Sequence, residues 1–430
     1  MIFYKETDFK ETPVGKIPKD WELKRLGDVC AKITDGTHKT PKYVDKGIPF
    51  LSTQNIVPFR KGFDFSEYEK YITREEHEEL IKRCKPEKGD ILVSKCGTIG
   101  RAKLIDVNYE FSIFVGLALL KLKKDLVIGE FLEQMLNYDP CRLRMEVSSP
   151  GSTRKTLTIH AIERLQIPFP SLEEQRAIVG VLGVVDSVIA KTGEVIAKTE
   201  RLKKGLMQTL LTRGIGHKEY KQTPIGTIPK TWEVKRLEEA SIEVTIGVVN
   251  PATPYYTSAN DGVPYFRSQN VRENRLEPTN VYVKREFNER HPRSILKEND
   301  ILTLQTGFIG VSCLVPKEYE GANCHSLLIT RTNPKVLNPQ FLCQFLNSAV
   351  GKKIIYRHNS GWGRAHLLLE DFRKIPIPIP PLQEQQTIAE ILSTIDKKIE
   401  YEKKEKTRLE RIKQGLMDLL LTGKIRVKVD

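Results

Sequence analysis

The sequence predicts an α+β protein: two tandem-repeat mixed α/β domains joined by two long antiparallel helices, a coiled-coil spacer with pseudo-two-fold symmetry. Three observations carry this prediction. Five sequence blocks recur in one order at a nearly constant offset. Each copy opens with a stretch punctuated by proline and glycine. Each closes with a long proline-free stretch whose apolar residues keep heptad spacing.

The repeat comes first. Residues 12–26 read TPVGKIPKDWELKRL and residues 223–237 read TPIGTIPKTWEVKRL, identical at eleven of fifteen positions with an offset of 211. GIPFLSTQNI from Gly47 answers GVPYFRSQNV from Gly262, and DILVSKCGTIG from Asp90 answers DILTLQTGFIG from Asp300. IPFPSLEEQRAI from Ile167 answers IPIPPLQEQQTI from Ile377, and RLKKGLMQTLLT from Arg201 answers RIKQGLMDLLLT from Arg411. Most of these offsets are 210, so the chain is two copies of one long unit.

Within each copy the first part carries short apolar runs such as DILVS, FSIFVGLALLKL and KIPIPIP, which suit strands. Short helices are expected over 73–83 and 129–137. The resulting boundaries are 1–170 for the first domain, 171–214 for the first long helix, 215–380 for the second domain and 381–425 for the second helix.

The long helices follow from periodicity. Ile178, Leu182, Val185, Ile189, Ile196 and Leu206 form one seam; Ile388, Leu392, Ile395, Ile399, Leu409 and Leu416 form the other. Ser171 and the Pro380-Pro381 pair supply the start signals. A helix of roughly 40 residues is about 60 Å long. Two amphipathic helices lying each on its own domain is one reading. Antiparallel pairing of the two is preferred, because matched seams in equivalent repeats can bury each other. The block TPIGTIPKTW after the first helix also matches the N-terminal block. The N-terminal segment is therefore expected beside the end of the second helix, closing the repeat into a ring.

Composition narrows the class. Hydrophobic content of 39% and charged content of 29% fit a globular protein. A net charge of +14 points to polyanionic partners, nucleic acid first and anionic membrane second. No run reaches the ~18 apolar residues of a membrane span, and MIFYKETDFK lacks the features of a secretory signal. The seven cysteines are odd in number and never spaced as CxxC, against a disulfide framework or structural zinc. A cytoplasmic location is expected, with no metal site.

Two divergent domains alternating with two similar helices, each introduced by IP-x-P-x-L-x-E-Q, resemble the specificity subunit of type I DNA restriction-modification systems. The resemblance covers the whole chain. The sequence Asp35-Gly36-Thr37-His38 with Pro41 also looks like a motif at the start of that family's recognition domains; the second copy has TIGVVNPATP instead. The resemblance implies two target recognition domains, each reading half of a bipartite, non-palindromic double-stranded DNA site. It implies that the helices fix the spacer and dock two methyltransferase subunits, with restriction-translocase subunits joining. No cofactor is expected on this chain; S-adenosylmethionine, ATP and Mg belong to those partners.

Candidate DNA contacts fall into three groups. Lys95, Gly97, Thr98, Gly100 and Arg101, with Gln305, Gly307, Phe308 and Gly310, make a GxxG turn after a strand, where backbone NH groups can approach phosphate. A plain tight turn is the alternative, and a KH-type RNA clamp lacks its compact surroundings. Ser152, Arg154 and Lys155, with Trp362, Arg364 and His366, lie in the loop before each domain's last strand and suit phosphate or groove contact, or a solvated basic loop. Thr37, His38 and Lys39 could read base edges, or His38 could brace its own loop. Gln54-Asn55 and Gln269-Asn270 could pair with adenine, but their recurrence beside the same Gly-x-Pro favours a structural role. Trp21 and Trp232 are expected to pack.

Enzyme motifs are missing. There is no adenine-methyltransferase loop, Walker A, G-x-S-x-G or H-E-x-x-H, and the E-x-K triplets at Glu22 and Glu233 have no placed acidic partner. A non-catalytic chain is expected. The alternatives are a stand-alone methyltransferase or nuclease with cryptic motifs, and a non-specific basic DNA-binding protein.

Overall fold

The most apolar run of each copy becomes the centre of a four-stranded antiparallel sheet. In the first copy the strand order is Cys30–Asp35, Leu117–Leu122, Ile91–Ser94, Ala102–Leu104; in the second it is Ser241–Ile246, Leu327–Thr332, Ile301–Leu304, Ser312–Leu314. Ile91–Ser94 and Ile301–Leu304 are buried throughout, which explains their unbroken apolar sequence. Side chains alternate between faces: Ile91 and Val93 enter one core cluster, Leu92 another. The computed structural model describes residues 2–66, 68–149, 155–358 and 366–428.

The chain divides into two units: Met1–Glu194 with Lys403–Asp430, and Val195–Glu402. Each repeats the same packing. Helices Gly129–Asn137 and Pro339–Asn347 lock to an edge strand through one asparagine apiece. Asn137 accepts from the Ala102 NH at 3.1 Å and donates to its carbonyl at 2.8 Å. Asn347 does the same with Ser312 at 2.9 and 2.8 Å. The proline-bearing strands Gln166–Phe169 and Pro376–Ile379 pair antiparallel with Glu22–Arg25 and Glu233–Arg236, and lead into the long helices.

Those helices span Leu172–Arg213 and Leu382–Leu421. Ser171 caps the first, accepting from the Glu174 NH at 3.3 Å. The shared glutamine of the E-Q motif holds each helix start to its domain. Gln175 accepts from the Ile128 NH at 2.9 Å and donates to Pro170 at 3.0 Å; Gln385 accepts from Asn338 at 2.8 Å and donates to Pro380 at 2.8 Å. The preceding glutamates accept from the buried tryptophans: Trp21 Nε1 to Glu174 at 2.9 Å and Trp232 Nε1 to Glu384 at 3.0 Å. Both tryptophans pack, as expected.

The pairing is antiparallel within each unit. In the first, Glu174 meets Arg426 beyond the second helix at 2.7 Å, and Asp186 meets Lys413 at 2.7 Å. In the second, Glu384 bonds His217 at 2.9 Å, and Asp396 meets Lys203 at 2.5 Å. Numbers rise on one helix while they fall on the other. All twelve seam residues are buried or half-buried. The seam does more than expected, however. Ile178 and Leu182 join Met417, Leu420 and Leu421 inside the first domain's own core, and Ile388 and Leu392 join Leu210 and Leu211 inside the second's. The two readings of the helices, lying on a domain and pairing with each other, are therefore both realised. A helix pair alone buries only a narrow stripe, and its ends gain further burial against the domains.

The N-terminal segment docks where the repeat predicts. Phe3–Lys5 pairs antiparallel with Ile425–Val427, and Arg426 bridges Glu6, Asp20 and Glu174. No helix among the described residues is long and apolar enough to cross a membrane.

Candidate nucleic-acid interface

The GxxG turns have the same backbone in both copies. Gly97 and Gly100 have φ of 70° and 80°; Gly307 and Gly310 have 71° and 83°. This left-handed region is open to glycine and strained for other residues. A Cβ on Gly100 would also meet Arg142 at 2.9 Å, and one on Gly310 would meet Ile355 at 2.8 Å. Equivalent hydrogen bonds close the turns: Gly100 NH to Ser94 O and Gly310 NH to Leu304 O, both 2.9 Å. Gly97 and Gly307 are exposed, so their backbone is accessible, whereas Gly100 and Gly310 are buried.

In each copy the structure ties the glycine turn to the loop before the last strand. The Leu157 NH donates to Lys95 O and the Leu367 NH to Gln305 O, each at 2.8 Å, tying the turn to the loop before the last strand. Thr306 and His366 form a β-bridge across the same junction. Exposed Lys155 and half-buried His366 sit at these loops; Ser152, Arg154, Trp362 and Arg364 lie outside the described residues.

In the first copy the third group is joined by charge. Asp35, at the end of its strand, receives Lys95 Nζ at 2.5 Å on Oδ2, and Arg83 at 2.5 Å and His38 at 3.3 Å on Oδ1. Burial alone would raise the Asp35 carboxyl, but Lys95 and His38 hold it below the usual carboxylate value. Thr37 is half-buried and bridges to Phe114, while Lys39 and Arg101 are exposed. Gly36 permits this crossing, since a Cβ there would lie 2.0 Å from Ile113 O.

Two expected contacts are corrected. Lys95 and Gln305 are only 6% exposed. Lys95 turns inward to Asp35, and Gln305 donates to Ser326 O at 2.9 Å. An ammonium this buried is held by its carboxylate partner, so Lys95 organises the site and does not reach outward. The second copy replaces the pair: Ile246 ends the strand that Asp35 ends in the first, and neutral Gln305 stands for Lys95. Sequence reasoning missed Arg83, whose side chain is 56% exposed yet anchored to Asp35. It lies 48 residues from Asp35, and no local pattern marks it. His38 bonds Asp35 and is itself 62% exposed, so bracing its loop leaves most of its ring free.

The asparagines of the glutamine-asparagine pairs take the structural role. Asn55 is fully buried, accepting from the Ser52 NH at 2.8 Å and donating to Asp64 O and Tyr68 O at 2.8 and 2.6 Å. Asn270 repeats this with the Arg267 NH at 3.0 Å and Pro278 O at 2.9 Å. Gln54 and Gln269 are exposed.

A duplicated α+β domain, each copy closing on a long helix and presenting a glycine turn beside a buried charged or polar side chain, defines a two-domain recognition protein. The family described as the type I restriction modification DNA specificity domain matches the chain twice, over residues 18–201 and 229–411, and the chain belongs to that family. The type I restriction enzyme MjaVIII specificity subunit of Methanocaldococcus jannaschii is 29% identical, across 100% of this chain and 98% of its own. The MjaIX specificity subunit of the same organism is 26% identical, across 98% of each. A type I restriction-modification system S subunit from M. genitalium shares the fold, with a TM-score of 0.58 and 17% identity over 95% of this chain and 99% of its own.

Proposed function

We propose that this specificity subunit reads a bipartite, non-palindromic DNA site, one half with each unit, while the paired helices fix the spacer and dock two methyltransferase subunits. One observation carries the reading. The backbone at the two sites is the same, whereas the side chains differ: Asp35, Lys95 and Thr98 in one, Ile246, Gln305 and Phe308 in the other. Shared framework with unlike contact groups is what two different half-sites require.

The docking role is supported by the outer face of the first long helix. Val184, Val188, Val195 and Leu202 are exposed there at spacings of four and seven, and Ile412 is exposed at the position equivalent to Leu202. Apolar residues repeating along one helical face outside any core suit a partner protein. Methyl transfer and ATP-driven restriction then belong to those partners, with S-adenosylmethionine, ATP and Mg on their chains, in the cytoplasm. This chain binds and positions.

Selection from random duplexes with the methyltransferase partner present tests this. Two conserved clusters of base pairs at a fixed gap are expected. Recovery of no motif would mark a non-specific basic DNA-binding protein. Methyl transfer by the chain alone, given S-adenosylmethionine and DNA, would mark a stand-alone enzyme.

A further inference from the structure

The GxxG turn is conserved in backbone between the two copies but not at its tip. Glycine φ values and closing hydrogen bonds agree, and the residue after the tip is a buried isoleucine in both, Ile99 at 4% and Ile309 at 1% exposure. The tip itself is Thr98 in the first copy and Phe308 in the second. Phe308 is 81% exposed, the most exposed of the large apolar side chains among the described residues. Leaving a phenyl ring in water on a turn this constrained forgoes the free energy of burial and adds nothing to the fold. The residues that anchor its turn are fixed: Ile309 is buried, Gly310 abuts Ile355, and Gln305 is bonded to Ser326 and Leu367.

We propose that the tip of this turn is a specificity-determining position, and that Phe308 meets a thymine of the second half-site through the 5-methyl group in the major groove. The shared glycine backbone serves what every duplex has in common, its phosphates. The variable tip serves what differs between half-sites. An apolar ring has no hydrogen bond to offer a base edge, and the thymine methyl is the apolar feature that the major groove displays. Thr98, small and with a hydroxyl, would read its half-site differently. This inference rests on the two-half-site reading above.

The experiment is selection from random duplexes by the full chain with its methyltransferase partner, comparing wild type with F308T, F308L and T98F. Wild type and F308L should select the same thymine in the second half-site. F308T should lose that preference while the first half-site stays unchanged, and T98F should alter the first half-site alone. Replacing the selected thymine by uracil, which removes only the methyl, should weaken wild-type binding about fivefold or more and leave F308T unaffected. An unchanged second half-site in F308T, or wild-type indifference to uracil, overturns the tip assignment while leaving two-part recognition standing. A wild type that selects no two-part motif overturns the underlying reading itself. The ring is exposed, so loss of folding does not confound these variants.

Discussion

Lys413 of the second long helix lies 2.7 Å from Asp186 of the first, and Lys203 and Asp396 repeat that pair in the second unit, each partner displaced by 210 positions. The pair is part of a larger joint. Gln134 from the first domain donates to Asp186 at 2.6 Å, and the Phe59 ring covers the Lys413 ammonium at 3.0 Å. In the second unit Gln344 donates to Asp396 at 2.8 Å, and Asn274 reaches the same carboxylate at 3.4 Å. Phe59 and Asn274 both have left-handed backbones, with φ of 62° and 58°. Each recognition domain thus grips the helix pair at its ion pair.

Burial pushes the Lys413 ammonium below its ordinary value, with Asp186 opposing the shift. A lysine depressed in this way costs stability while charged, and stability rises as pH climbs from its folded value toward the unfolded one near 10.4. Asp186→Ala leaves the ammonium without its carboxylate and should destabilise the first unit by about 3 kcal/mol in urea unfolding. Lys413→Met combined with Asp186→Leu should return within about 1 kcal/mol of wild type. A double variant that loses as much as the two single variants added together would show that the charges are not coupled.

Asn55→Ala removes four hydrogen bonds from a fully buried site and should cost about 2 kcal/mol, whereas Gln54→Ala next to it should cost less than about 0.5 kcal/mol. Thermal unfolding distinguishes them. A Gln54→Ala variant that folds normally but loses the first half-site would restore Gln54 as a base contact.

Asp35 titrates below the usual carboxylate value, so its partners add stability above the unfolded value near 3.9 and lose it as pH falls through the folded one. Asp35→Asn should therefore be less stable than wild type at neutral pH, with the gap closing below about pH 4. Unfolding midpoints across pH 3–7 measure this. A gap independent of pH would mean that shape, not charge, holds Lys95, Arg83 and His38 together.

Inserting one heptad into each long helix adds about 10 Å of rise, close to three base pairs of duplex. The selected DNA should lengthen its gap by about that much while both half-sites persist. An unchanged gap removes the ruler role from the helices.

Phe3–Lys5 pairs with Ile425–Val427, so the first and last strands are neighbours. A circular permutant opened near Gly216 with those strands joined should stay soluble, fold and bind DNA. In it Arg426 keeps its bonds to Glu174 and Asp20. Insoluble product, checked by circular dichroism and gel filtration of the permutant, would count against the equivalence of the two junctions.

Much of this architecture was legible in one dimension. Duplication shows as collinear blocks, and a helix seam shows as spacing, because both are set by local geometry and by the period of the chain. The E-Q motif was legible as a marker, yet its work was not: Glu174 and Glu384 serve the tryptophans, Gln175 and Gln385 serve loop backbones, all distant in sequence. The site was legible in part. The glycine turns fall where the GxxG spacing put them, and Asn55 and Asn270 pack as their recurrence suggested.

Sequence alone, then, determined the two-copy plan, the long helices and their seams, and the docking of the N-terminal segment at the end of the second helix. Only the tertiary structure decided which polar groups face outward. Lys95 lies inside because Asp35 approaches it across the sheet, Arg83 is anchored to that same carboxylate from 48 residues away, and Phe308 stands out because its turn leaves it no core to enter. Burial and charge pairing depend on which segments meet in space, and spacing along a chain does not encode that meeting.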